Sequence, residues 1–123
     1  MLLSGILSRM LGNSIRAGAL YSVMGGKGYF QVAKVLMVDA NGVHVRLYKN
    51  RFATRPETVS FETLVLGSIH DPDGCGMGHI PLTVEAFRAW QPMFLANSPV
   101  AEDELDGYRE WESAGGGYFG AGE

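Results

Sequence analysis

The sequence predicts an α+β fold, with a curved antiparallel sheet or small barrel of four to six strands, two or three helices, and a helical C-terminal part. Three observations predict it. The stretch GYFQVAKVLMVDANGVHVRLYKNRF places two runs rich in β-branched and aromatic residues on either side of Asp39-Ala40-Asn41-Gly42, a hairpin pattern. Other short β-prone runs, punctuated by turn residues, flank that hairpin. Beyond residue 82 the spacing of apolar residues and the capping residues turn helical. A chain of 123 residues reads as one domain, because a chain of that size buries about two-thirds of its unfolded surface without a disulfide or metal.

Taken in order, residues 1–18 read as an amphipathic segment with Leu3, Ile6, Leu7, Met10 and Leu11 on one side. They lack a basic start and are interrupted by Arg9, so a secretory signal is not expected, although acid-free Arg/Ser composition has a faint organelle-presequence character. Residues 19–69 read as mainly β. A strand is expected over 19–24, then a glycine turn, then strands over 28–38 and 43–50, and one or two more within 58–69 after the breaker Arg55-Pro56. Pairing Val38 with Val43 places Leu36 opposite Val45 and Lys34 opposite Leu47. Phe30, Val32, Leu36 and Val38 then share the core face with Val43, Val45 and Leu47, while His44, Arg46 and Tyr48 take the other face.

Residues 70–82 read as a Gly-rich connector and 83–114 as mainly helical. Thr83 is placed to cap a short helix over 84–90, with Glu85 in its first turn and Pro92 beyond its end. A second helix is expected over about 100–114, with Leu105, Tyr108 and Trp111 as its apolar stripe and Gly115 as its stop. The remainder, 115–123, is a Gly-rich tail.

Charge is segregated along the chain. Residues 1–56 carry eight Lys/Arg and one acid, a balance of +7, and residues 57–123 carry two Arg and twelve acids, a balance of −10. A basic half suits a nucleic-acid surface. It suits equally two halves that fold against each other, and the sequence pI near 5.6 disfavours a dedicated nucleic-acid binder. No apolar run approaches the ~18 residues of a membrane span. A single cysteine excludes an internal disulfide and fits a reducing, cytoplasmic setting.

Several motifs resemble known chemistry and fail on spacing. Gly25, Gly26 and Gly28 around Lys27 lack the spacing, the Ser/Thr and the following helix of a phosphate-binding loop. The string DPDGCGMGHIPL from Asp71 has acids at positions 1 and 3 and glycine at position 6, but ends on Leu82 where a calcium loop needs glutamate. His70, Cys75 and His79, with Asp71 or Asp73 as a fourth ligand, form the one candidate metal set, and its residue types would take zinc. No other cofactor is implied. Cys75 with His79 four residues on also raises thiol catalysis, but no third group orients the pair, so no catalytic residues are assigned and a non-enzymatic protein is expected.

Two binding surfaces remain. Tyr29, His44, Arg46, Tyr48 and Arg51 mix basic and aromatic groups in the manner of a single-stranded nucleic-acid face. Glu102, Asp103, Glu104, Asp106 and Glu110 form an acidic helical surface able to meet a basic protein, or to cover that hairpin face from within.

The phrases GYFQVAKVL, GVHVRLYKNRF, GHIPLT and GGGYFG resemble those of small uncharacterised bacterial single-domain proteins, over most of the chain from Tyr21 to Gly120. That resemblance implies a free-standing cytosolic domain and brings no activity with it. In size and charge the chain is also similar to toxin-immunity proteins. The leading expectation is therefore a protein-binding module of the immunity type, with a basic toxin as its partner. Nucleic-acid binding is the alternative, and a metal or thiol site at 70–79 the second alternative. Oligomeric state is left open.

Overall fold

A computed structural model describes residues 14–120. Residues Ala19–Met24 (β1), Phe30–Val38 (β2), Val43–Leu47 (β3), Met77–Leu82 (β4) and Met93–Asn97 (β5) form one antiparallel sheet in the order β4-β3-β2-β1-β5. The α+β class is as expected, and the sheet is open rather than a barrel. Among the described residues two α-helices accompany it, α1 (Val84–Arg88) and α2 (Asp106–Ser113). The amphipathic residues 1–13 and the last three residues of the tail lie outside the described residues. Among the described residues no helix is long and apolar enough to cross a membrane.

The sheet is covered on both sides. On one face Ala19, Tyr21 and Val23 join Ala33, Val35, Val43, Val45, Ile80 and Leu82, all buried. Helix α1 seals this face as the chain crosses from β4 at one edge to β5 at the other. Its Phe87 is buried edge-on to Tyr21, with ring centroids 6.0 Å apart. Thr83 caps it as expected, Oγ1 accepting from the Ala86 N–H at 3.1 Å.

On the opposite face Leu20, Val32, Tyr48 and Leu64 form a second cluster with Phe52, Val59 and Leu66. The strands expected within 58–69 are absent. Residues 61–63 make a single 3-10 turn instead. Local hydroxyl bonds, Ser60 Oγ to Glu62 and Thr63 Oγ1 to the Ser60 carbonyl, compete there with a ladder. Asn50 holds the segment instead, accepting from Val65 N and donating to the Thr63 carbonyl.

The β2–β3 register differs from the expected one. Val38 faces Val43, but a bulge between Val35 and Met37 then shifts the pairing, so that Val35 faces Val45, Lys34 faces Arg46 and Ala33 faces Leu47. One inserted residue exchanges the faces of the rest of β2. Ala33 and Val35 therefore enter the core expected for Val32 and Leu36. Lys34 moves beneath the arm that covers the far side of the hairpin. Strand β3 also ends at Leu47, short of the expected residue 50.

The Gly-rich connector is in part a strand. Residues 77–82 form β4, an edge strand on β3. Pro81 is tolerated because its carbonyl, and hence its missing N–H, points away from β3, where the carbonyl accepts from Phe119 N at 2.9 Å. Gly76 is required by proximity, since a Cβ there would lie 2.0 Å from the Leu47 carbonyl oxygen. The part expected to be mainly helical contains β5 at the far edge. Its second helix is shorter than expected, a 3-10 turn over Glu102–Leu105 leading into α2. Gly115 ends α2 as expected, with φ of +67°, while Gly116 N bonds back to the Trp111 carbonyl.

Candidate functional site

The C-terminal arm, residues 98–119, lies against β2, β3 and β4; besides the backbone bonds of Phe119 to Pro81 and Thr83, side chains hold it at two places. The first is an ion pair built on the shifted register. Lys34, only 1% exposed, donates from Nζ to Glu104 Oε1 at 2.8 Å and to the Pro99 carbonyl at 3.0 Å. Glu104 Oε1 also accepts from Ala101 N at 2.8 Å, and Oε2 lies 3.5 Å from Arg46 Nη1. Burial pushes the Glu104 carboxyl up, but the Ala101 N–H, Lys34 and Arg46 together outweigh it and hold it below the ordinary range. A buried lysine is costly unless paired, so this arrangement fixes where the arm docks.

The second is a cage around His44, which is fully buried. Its ring meets Tyr108 and Trp111 edge-on, with centroids at 4.7 and 4.4 Å. His44 Nδ1 lies 2.9 Å from His79 Nε2, with the two rings nearly coplanar, 10° apart. His44 Nε2 lies 2.9 Å from the Tyr118 hydroxyl, which donates in turn to Asp39 Oδ2. One proton arrangement satisfies every member. His79 Nε2–H donates to His44 Nδ1, His44 Nε2–H donates to the Tyr118 oxygen, and Tyr118 donates to the Asp39 carboxylate. Burial pulls both imidazoles below their usual value, with Asp39 opposing this at His44 and the charge of His44 adding to it at His79. Burial, then the Asp39 carboxylate, pushes the Tyr118 hydroxyl up. Asp39 also closes the hairpin turn, its Oδ1 accepting from Asn41 N and Gly42 N. A Cβ on Gly42 would lie 2.2 Å from the Leu82 carbonyl oxygen and 2.7 Å from the Tyr118 ring, so the glycine lets both β4 and the arm approach.

These contacts distribute the residues singled out from the sequence. His44 and Tyr48 are buried, and Arg46 is tied to Glu104 and to the Gly78 carbonyl at 3.3 Å. Only Tyr29 and Arg51 of the proposed nucleic-acid face remain beyond the arm, the guanidinium 4.7 Å over the ring. The five residues do not form one open surface. Among the acids, Glu104 points inward. Glu102, Asp103, Asp106 and Glu110 are exposed, the side chains of Glu102 and Asp106 by 88% and 73%. Arg109 sits among them, 2.5 Å from Glu102 and 3.6 Å from Asp106.

In the 70–79 loop, Lys49 Nζ bridges Asp71 at 2.9 Å and Asp73 at 3.0 Å, placing a side-chain cation between the two carboxylates. His70 and Cys75 are exposed, while His79 is turned to His44. Among the described residues no group of three or more His, Cys, Asp or Glu side chains is arranged to hold a metal ion.

Lys34, Asp39 and Tyr118 were not singled out as site residues from the sequence. Lys34 carried a signal, as the one charge inside an apolar strand. Tyr118, in a glycine-rich tail, carried none. Comparison with protein-family models, with curated proteins and with solved structures gives no match.

Proposed function

We propose that the protein is a non-enzymatic protein-binding module, of the toxin-immunity kind, that offers the outer surface of its C-terminal arm to a basic partner protein. The observation that carries this reading is the two-sided character of the arm. Its inner side, Glu104 with Tyr108, Trp111 and Tyr118, is spent on the protein's own sheet. Its outer side exposes Glu102, Asp103, Asp106, Glu110 and Glu112, with Arg109 the sole base between residues 102 and 113. A like-charged surface held on a fixed element steers an oppositely charged partner and speeds encounter. The nucleic-acid reading is weakened by the same docking, which withdraws His44 and ties Arg46 to Glu104, and by the burial of Tyr48 in the second cluster.

The test is affinity capture from the native cytosol with two baits, the wild type and a Glu102→Lys/Glu110→Lys variant. A partner retained by the wild type, eluted by salt and absent from the variant supports the reading. Recovery of the same proteins on both baits rejects it.

A further inference from the structure

We propose a second, separate site: a small-molecule cleft behind the arm that takes a carboxylate attached to an apolar body. A cleft of about 580 Å³ opens between the sheet and residues 97–104, lined by Lys34, Arg46, Phe61, Asn97, Asp103 and Glu104 among others. Its size is within the range of small-ligand sites, about 300–1,000 Å³. Its floor holds two cations against one carboxylate, because Lys34 and Arg46 share Glu104. One positive charge is therefore left without a buried counter-charge.

The loosely held donors belong to Arg46. Its Nε is taken by the Gly78 carbonyl and Nη1 lies at a loose 3.5 Å from Glu104, while the rest of the guanidinium has only a loose contact with the Tyr48 hydroxyl. Behind it the buried Tyr48 hydroxyl has only this loose contact with Arg46 and makes no hydrogen bond of ordinary geometry. A guanidinium with loosely held donors at the floor of a cleft matches the planar, two-oxygen geometry of a carboxylate.

The wall supplies the second half of the specificity. Phe61 is 45% exposed although it lies over Lys34, 5.1 Å from Nζ to ring centroid, and so offers a ring face to an apolar group. Asp103, exposed at the mouth, penalises anions in proportion to their charge, so a single carboxylate is disfavoured less than a phosphate. A monocarboxylate with an aromatic or branched aliphatic group satisfies all three features. It can be a free organic acid or the C-terminal residue of a peptide.

Nuclear magnetic resonance titration of the full chain tests this. The probes are phenylacetate, its uncharged analogue phenylacetamide, and an N-acetylated tetrapeptide ending in phenylalanine with a free carboxylate. Saturable shifts at Phe61, Arg46 and residues 97–104 with the carboxylates and not the amide are expected. Tighter binding of the peptide assigns the source to a chain terminus, and tighter binding of phenylacetate to a free acid. Arg46→Gln should weaken binding about tenfold, the worth of one charge-assisted contact. Phe61→Ala, which removes the half-exposed ring over Lys34, should weaken it several-fold with the urea midpoint checked alongside. No saturable shift up to about 10 mM, a limit corresponding to negligible affinity, would overturn the proposal. So would an equal response to the amide, or unchanged binding in both variants. None of these outcomes depends on the acidic outer surface, which Glu102→Lys/Glu110→Lys tests alone.

Discussion

Lys34 and Glu104 carry opposite charges into a region where neither is stable alone. Removing one partner of such a pair costs about 3–5 kcal/mol, because the other stays buried and uncompensated. Glu104→Ala should therefore lower the urea midpoint strongly. Lys34→Met combined with Glu104→Leu should recover most of the loss. If the double variant is no more stable than Glu104→Ala, the pair is not what fixes the arm. The histidines give a second prediction. His44 and His79 are both held below the ordinary imidazole value of 6.5. The unfolded chain thus binds more protons as pH drops below about 6.5, so their contribution is complete above that value and is lost as pH falls through the lower folded values. Tyr118, Tyr108 and Asp39 face the pair, and the nearby Glu112 charge opposes the loss without reversing it. Asp39 is also held low, and its contribution is lost only in stronger acid, below its ordinary 3.8. Urea midpoints should hold between pH 7.5 and about 6.5 and fall from there towards pH 5, and a profile flat throughout would contradict the cage.

The C-terminal arm is the element on which the account turns. Trp111 is only half-buried yet packs on His44 at 4.4 Å and donates from Nε1 to the Gly117 carbonyl at 2.9 Å. Trp111→Ala should cost about 2 kcal/mol, less than the 3–5 of a fully buried aromatic. It should also speed hydrogen exchange at β3 and β4 more than at β1. Uniform acceleration would mean the arm does not dock as an independent piece. The hairpin, the Thr83 cap and the Gly115 stop were legible in the sequence because each is set by neighbours a few residues away. Strand β4 was not, since glycine and proline at 78 and 81 suppress strand propensity, and its pairing is decided by the edge position of Pro81. The register of β2 was hidden by one bulged residue, which is invisible to an alternation argument. The candidate site was the least legible part. It depends on which face of the hairpin the acidic segment covers, a matter of tertiary docking that charge segregation left open between two partners.

Across the whole molecule, the separation of charge along the chain becomes a separation between inside and outside. Part of the basic half is neutralised internally by Glu104, and Asp71 and Asp73 do the same for Lys49 at the surface. Most of the acids of residues 102–112 have no such task and face solvent. The arm, residues 98–119, carries six acids against Arg109, a balance of −5, where the whole chain carries −3. The central claim is that this outer surface recruits a basic protein. Its most direct test is the association rate of the captured partner with wild-type protein and with Glu102→Lys/Glu110→Lys, across a range of salt. The account predicts a rate that falls steeply with salt for the wild type and is about tenfold or more lower for the variant at low salt, with both proteins unfolding at the same midpoint. A rate insensitive to salt and unchanged by the two substitutions would contradict it.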